Sequence, residues 1–414
     1  MMINKERLWN HITELGKIGY VEGKGITRTS YTPEDRAAFA LVKQWMEEAG
    51  LTVRRDAIGN MYGRLEGKNP DAPVILTGSH IDTVLCGGQF DGHLGILSAI
   101  EAVQTIRERG IIPESPIEVI AIRDEEGMRF DIDLFGSRAL AGQLTEEILA
   151  YKDDDGISIA EAMKAEGYDP AKYMDAQLNP EEVKAFIELH IEQGKVLEDK
   201  NLSVGIPTVI SSSSWMIIRF HGEADHAGGT PMRLRHDALV AAAKVIQYVD
   251  ERARHNGVSV GTVGRIKVEP GAINIIPGYC EFTLDLRDID CEAADSLRDD
   301  VLTYIEQVCK ETGITMEPVE NLNKLDPCPC NPKIMKVIEG AFNITGHEAF
   351  YLPSGAQHDA MRIAEKVPIG MIFVRCEGGI SHSPYEMVSI DDCADGADVL
   401  RETLLALAKD DCKL

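Results

Sequence analysis

Residues 78–92 read GSHIDTVLCGGQFDG and place His80, Asp82 and Asp91 in a glycine-rich stretch directly after the apolar run APVILT. Further along, RDEEG sets Glu125 and Glu126 at the end of a second apolar run, and His190 and His382 each follow another, in IELH and GGISH. Imidazole and carboxylate together are the donors that borderline divalent metals such as Zn²⁺ select. A carboxylate beside such a set can serve as a general base. Each piece alone also has a plainer reading. His80 and Asp82, two apart in an extended segment, point to one face; Asp82 then either orients the ring of a ligating His80 or forms an ordinary loop pair with it. Asp91 opens a helix, where Asp is a good N-cap. Glu125 and Glu126 fit a solvated acidic turn as well as a buried site in which a cation offsets their repulsion. A lone histidine after an apolar run is more often a satisfied core or loop residue than a ligand. Convergence favours the chemical reading, because His80, Asp91, Glu126, His190 and His382 all fall near the C-terminal ends of predicted strands of one sheet.

An α/β layer must bring those ends together. PEDRAAFALVKQWMEEAG has helical apolar spacing, and LTVRRDAIGNMYGRLEG alternates like an exposed hairpin. APVILTGSH and PIEVIAIRDEEG read as buried strands on either side of the long helix GHLGILSAIEAVQTIRERG. Both strands end in polar residues, where open α/β sheets carry their sites. The acidic stretch 145–182 is expected to be a solvated helical excursion, after which VKAFIELHIEQG returns to a strand. Between about 208 and 324 the order becomes β-α-β-β-α-β, the split-βαβ, ferredoxin-like pattern. VPIGMIFVRCEGGISHSP then resembles the first part again. The expected α/β fold is a central mixed-sheet domain, 1–207 and 325–414, into which an α+β ferredoxin-like domain, 208–324, is inserted.

At 414 residues the chain exceeds what one core usually fills, in keeping with two domains. The net charge of −26 argues against a nucleic-acid partner or an anionic membrane surface. The start MMINKERLWNHITELG lacks an apolar core and reads as neither signal peptide nor membrane span, so a cytoplasmic protein is expected. Nine scattered cysteines, with only Cys328 and Cys330 close together, read as free buried thiols.

The ordered motifs GSHIDTV, FDGHLG, DEEGMRF, GSRALAG, ELHIEQG, DHAGGTPM, NIIPG, DLRD, SGAQHDA and SHSPYE span nearly the whole chain. Together they resemble the M20-type metal-dependent amidohydrolase and peptidase superfamily, and within it the hydantoinase/carbamoylase branch of N-carbamoyl-L-amino acid hydrolases and allantoate amidohydrolases. ELHIEQG is the branch-specific motif, because many peptidase relatives have a carboxylate where this chain has His190. The resemblance implies a metallohydrolase domain with two divalent ions, Zn, Mn or Co. Asp91 would bridge them, His80 and His190 would complete one site, and Glu126 and His382 the other. It implies Glu125 as general base, His226 as transition-state stabiliser and Asn274 with Arg287 as a clamp for the substrate carboxylate. Gln193 and Gly355 would make further substrate contacts. The inserted domain would be a lid and the seat of a homodimer. The activity implied is hydrolysis of the ureido C–N bond of a small acid: an N-carbamoyl-L-amino acid first, allantoate or another ureido acid as the alternative, and a dipeptide or acylated amino acid after those. Gly229, His93 and Gln357 depart from the commonest family forms and bear on pocket shape.

Overall fold

The computed structural model describes residues 2–414 and divides into two compact units, 2–208 with 330–414, and 209–329. In the larger unit, four parallel strands lie side by side in the order Ile369–Val374, Val183–Ile191, Val74–His80 and Ile117–Ile122. Their residues are buried almost throughout, as expected of strands covered on both faces. Met61–Leu65 pairs antiparallel with Ile117–Ile122, and Thr52–Arg55 pairs with Met61–Leu65 at the sheet edge. The expected hairpin therefore exists, but only its outer strand is exposed. Met61 and Tyr62 are buried because the inner strand docks onto the parallel core.

One face is covered by the helices Lys5–Leu15, Pro33–Glu48, His93–Glu108, Pro332–Thr345 and Ile390–Leu407, whose apolar residues join the strands in one core. His93–Glu108 is buried along most of its length, and a Cβ on Gly95 would come within 2.3 Å of the Leu189 carbonyl oxygen. Glycine is required there for the helix to lie against the strand. The stretch 145–182 is not a purely solvated excursion. Leu149, Ile159, Met163 and Ala176 pack with Tyr31, Ile58, Phe130 and Phe135 in a satellite core, so its apolar residues outweigh its acidic composition.

The smaller unit has an antiparallel sheet built on Ser213–His221 and Tyr279–Arg287, flanked by Val260–Thr262, Ile266–Glu269, Thr315–Met316 and Glu320–Leu325. The helices Ala238–Arg254 and Cys291–Thr312 complete its own core. The unit runs past residue 324 because the strand Glu320–Leu325 pairs with its central strand. All nine cysteines are free; Cys280, Cys330, Cys376 and Cys393 are buried, while Cys86 and Cys291 are exposed. Among the described residues no helix is long and apolar enough to cross a membrane.

Arg123, next after the strand Ile117–Ile122, is fully buried and ion-paired with the equally buried Asp35, with Glu166 3.6 Å away. Its guanidinium lies 4.3 Å from the Tyr31 ring centroid and 4.4 Å from that of Phe39. Removing one partner leaves a buried charge uncompensated, so Arg123→Ala is expected to lower unfolding stability by about 3–5 kcal/mol. Urea denaturation of the variant beside Arg123→Ala/Asp35→Ala checks this, the double variant being the less destabilised per residue removed.

Candidate metal centre

The four parallel strands deliver the candidate residues at their C-terminal ends. His80 ends one strand, Glu125 and Glu126 follow Ile122, His190 lies at the end of its strand, and His382 is on the loop after Val374. Asp91 precedes the helix His93–Glu108. Asp91 Oδ1 is 3.1 Å from His190 Nε2 and 3.7 Å from His80 Nε2, while Oδ2 is 3.1 Å from His382 Nε2. His382 Nε2 is also 3.4 Å from Glu126 Oε1. Donor atoms of His80, Asp91 and His190 lie within 4.8 Å of one another, as do those of Asp91, Glu126 and His382, and those of His80, Glu125 and Glu126. Asp91 thus turns one oxygen to each of two histidine groups.

The imidazoles are fixed for ligation. His80 Nδ1 lies 3.2 Å from the Asp82 carbonyl oxygen and His190 Nδ1 3.0 Å from that of Ile191. A ring whose Nδ1–H donates to a carbonyl keeps the Nε2 lone pair for a cation. Gly92, at φ +68°, lets the chain pass over His80, because a Cβ there would meet the ring at 2.5 Å. The Asp82 carboxylate stands beside His80 and has a second task that the sequence did not show. It is ion-paired with His80, 3.6 Å from Nδ1, and also accepts the main-chain N–H groups of Glu125 and Glu126, each at 3.0 Å. Asp82 therefore fixes the acid pair, and its main-chain carbonyl fixes His80.

Buried carboxylates raise each other's proton affinity unless cations intervene. Burial, with repulsion from Glu126, Asp359 and Asp82 and against attraction by His80, pushes Glu125 well above the ordinary carboxylate range. Burial and the neighbouring Asp91 push Glu126 up to about 7. Burial would also raise Asp91, but hydrogen bonds from His190, His382 and His80 hold it well below its usual value. His382 is pushed up to about 9, chiefly by its hydrogen bond to Asp91. A proton on these imidazoles would do what a divalent cation does, neutralising clustered carboxylates through nitrogens that face them. The donor chemistry fits such an ion.

Gln193, at φ +53°, directs Nε2 to Asp91 Oδ2 at 3.0 Å, Ser381 Oγ at 3.1 Å and His382 Nε2 at 3.2 Å. Gly355 is exposed between the strand Tyr351–Ser354 and the helix Asp359–Ile363. His93 is turned into the core, where its ring meets the buried guanidinium of Arg28 and the Ile81 carbonyl at 3.1 Å. His93 therefore belongs to the packing beneath the site. Glu188 and His358 join His190 in a further buried donor group that the sequence reading missed. Glu188 is two residues before His190 on the same strand face, and that period was the available signal.

In the smaller unit the exposed His226 accepts the N–H groups of Gly228 and Gly229 on Nδ1, each at 3.0 Å. Two donors on Nδ1 leave the proton on Nε2. A Cβ on Gly229 would meet the ring at 3.6 Å, ordinary contact, so a larger residue fits there. The Asn274 carbonyl accepts the Ala227 N–H at 3.0 Å, and an antiparallel bridge pairs His226 with Ile275. Arg287 is elsewhere. It ends the strand Tyr279–Arg287, with Nε 3.0 Å from Asp285 Oδ1 and Nη2 2.9 Å from Oδ2. Eight residue steps along that strand span about 26 Å, and the His226 bridge lies beyond its first residue. The unit brings His226 and Asn274 together and keeps Arg287 apart.

The description "Peptidase family M20/M25/M40" belongs to the family model that matches residues 76–406. The chain belongs to this family. It is 48% identical over 408 residues to an N-carbamoyl-L-amino acid amidohydrolase of Geobacillus stearothermophilus, covering 99% of this chain and 100% of the relative. An allantoate deiminase of Arabidopsis thaliana is 36% identical over 414 residues, covering 92% and 79%. The crystal structure of an amidase of the hydantoinase/carbamoylase family from Burkholderia multivorans superposes with a TM-score of 0.93 at 34% identity, covering 98% of each chain. The M20 family is metal-dependent, which accords with the donor groups of the larger unit.

Asp82→Asn keeps one acceptor oxygen for two amides and turns an NH₂ toward the other. It is expected to weaken divalent-ion binding about 10–100-fold, measured by titration of the chelated protein.

Proposed function

We propose that this protein hydrolyses the ureido C–N bond of N-carbamoyl-L-amino acids, giving the amino acid, ammonia and carbon dioxide. The observation that carries the reading is the 48% identity, over almost the full length of both chains, to a relative named for that activity, together with the clustered donor set. Allantoate is the second reading, supported by the likeness to an allantoate deiminase.

In this reading His80, Asp91 and His190 hold one divalent ion, and Asp91, Glu126 and His382 a second, of Zn, Mn or Co. Bound ions supply Lewis-acid polarisation of the ureido carbonyl and a water acidified into the neutral range. Glu125 takes the proton of the attacking water and passes it to the leaving nitrogen. His226, with its proton on Nε2, donates to the developing oxyanion, a contribution of about 10²–10³ in turnover. Asn274 and Arg287 hold the carboxylate, for which the planar guanidinium is suited, and Gln193 and Gly355 contact the same substrate.

The inserted unit acts as a lid and joins two copies into a homodimer. Support for two copies comes from the strand Tyr279–Arg287: residues about 26 Å apart in one unit cannot both touch a small acid, so Arg287 of one copy works with His226 and Asn274 of another. The site of action is the cytoplasm.

Ammonia release from N-carbamoyl-L-methionine and from allantoate, measured side by side, tests the substrate. Turnover of the carbamoyl amino acid that disappears on chelation and returns with Mn²⁺ or Zn²⁺ is expected; turnover of allantoate alone sinks the first reading. Co-expression of inactive Arg287→Ala and His226→Ala chains tests the shared site. Mixed dimers then carry one intact site each, and about a quarter of wild-type activity is expected, whereas sites confined to one copy give none.

A further inference from the structure

Glu386 lies four residues beyond His382 and is 3% exposed. Its Oε1 accepts the main-chain N–H of Phe90 at 2.8 Å and of Asp91 at 3.0 Å, while its Oε2 stands 3.1 Å from Ser381 Oγ. Ser381 Oγ is also 3.1 Å from Asp91 Oδ2 and receives Gln193 Nε2 at 3.1 Å. One carboxylate therefore ties the segment that presents Asp91 to the segment that presents His382, across 295 positions of chain. Room for it is built into the sequence, since a Cβ on Gly88 would come within 2.4 Å of Glu386 Cβ and Oε1. The helix His93–Glu108 begins without a side-chain cap of its own, and the two amides just ahead of it are those Glu386 takes. Glu386 itself belongs to none of the donor groups.

Resting on the metal-centre reading above, we propose that Glu386 is a positioning residue that sets the spacing of Asp91 and His382 and so governs ion occupancy of the Asp91, Glu126 and His382 group. The Asp91, His80 and His190 group has independent supports, in Gly92 against the His80 ring and in the main-chain carbonyls on the two imidazoles. Glu386 acts unequally on the two groups for that reason.

The experiment titrates Mn²⁺ by calorimetry into chelated wild type, Glu386→Ala, Glu386→Asp and Glu386→Gln, with far-UV circular dichroism of each. Wild type is expected to show two binding events, and Glu386→Ala to weaken one of them about 10–100-fold while the other stays within about threefold. Glu386→Asp, one methylene short of both amides, falls between. Glu386→Gln restores binding, since its oxygen accepts both amides and its NH₂ donates to Ser381 Oγ. Turnover of Glu386→Ala recovers at saturating Mn²⁺, which a merely structural lesion would not allow. Unchanged binding in the Ala and Asp variants overturns the proposal, as does equal weakening of both events or a Gln variant as defective as Ala. If the Ala variant is unfolded, the Asp and Gln variants decide by the same criteria. A wild-type chain that binds no divalent ion overturns the metal-centre reading, and this inference with it.

Discussion

The organisation of the larger unit follows from carboxylates crowded where water is scarce. Asp82, Asp91, Asp124, Glu188, Asp359 and Glu386 are buried, and Glu125 and Glu126 are partly buried beside them. Like charges at such spacing raise each other's proton affinity, and each must be neutralised, solvated by dipoles or protonated. The chain uses all three means. Main-chain N–H groups are aimed at carboxylates: those of Glu125 and Glu126 at Asp82, of Phe90 and Asp91 at Glu386, and of Ala360 at Glu188. Imidazoles turn Nε2 to Asp91. Asp359, next to Glu188, is pushed up to about 8, first by burial and then by that neighbour. A cation between Asp91 and the histidines would complete a balance that the side chains otherwise reach only by holding extra protons.

Beneath this layer sit two guanidiniums that touch no donor group. Arg28 donates to the carbonyl oxygens of Ile81, Leu15 and Ile18 and meets His93, so a fully buried cation holds the segment between His80 and Asp82 from behind. Burial and the adjacent charge of Arg28 keep His93 well below the usual imidazole range, so its ring stays neutral there. Arg123, next after the strand Ile117–Ile122, is the other, and it is ion-paired with the buried Asp35. Three non-glycine residues around the site, Asp124, Gln193 and His382, have φ of +59°, +53° and +54°. Such conformations cost of order 1–3 kcal/mol each and persist only where neighbours fix them. Here the hydrogen bonds of Gln193 to Asp91, Ser381 and His382 supply part of that fixing.

Residue type and strand-end position made the principal donors legible in the sequence, because open parallel sheets have one end at which such residues can meet. What escaped was decided by loop geometry. Asp82 was readable as a partner of the site, but which amides its carboxylate accepts depends on the turn after Ile122. Glu386 follows a proline in a loop and carries no periodic signal. In 145–182 the acidic run masked Leu149, Ile159 and Met163, whose burial makes a satellite core. In the hairpin, alternation identified two strands but not that Met61–Leu65 would dock on the parallel core, since period two marks a strand without naming its neighbours. The separation of Arg287 from His226 was invisible for a related reason: motif order along a chain says nothing about which end of a shared strand each motif occupies.

Charge sets the terms on which such a site meets an acid. With a net charge of −26 the protein offers an anion no long-range attraction. Arg287 is moreover engaged through Nε and Nη2 with Asp285, so its field is largely spent within the unit. If Arg287 holds the carboxylate as proposed, recognition would occur at contact distance, by planar geometry and hydrogen bonds rather than by steering, within a Debye length of about 8 Å at physiological salt. In that proposal the guanidinium would be selective: an anion would gain from it only when the rest of the molecule is held so that its carboxylate reaches the fork.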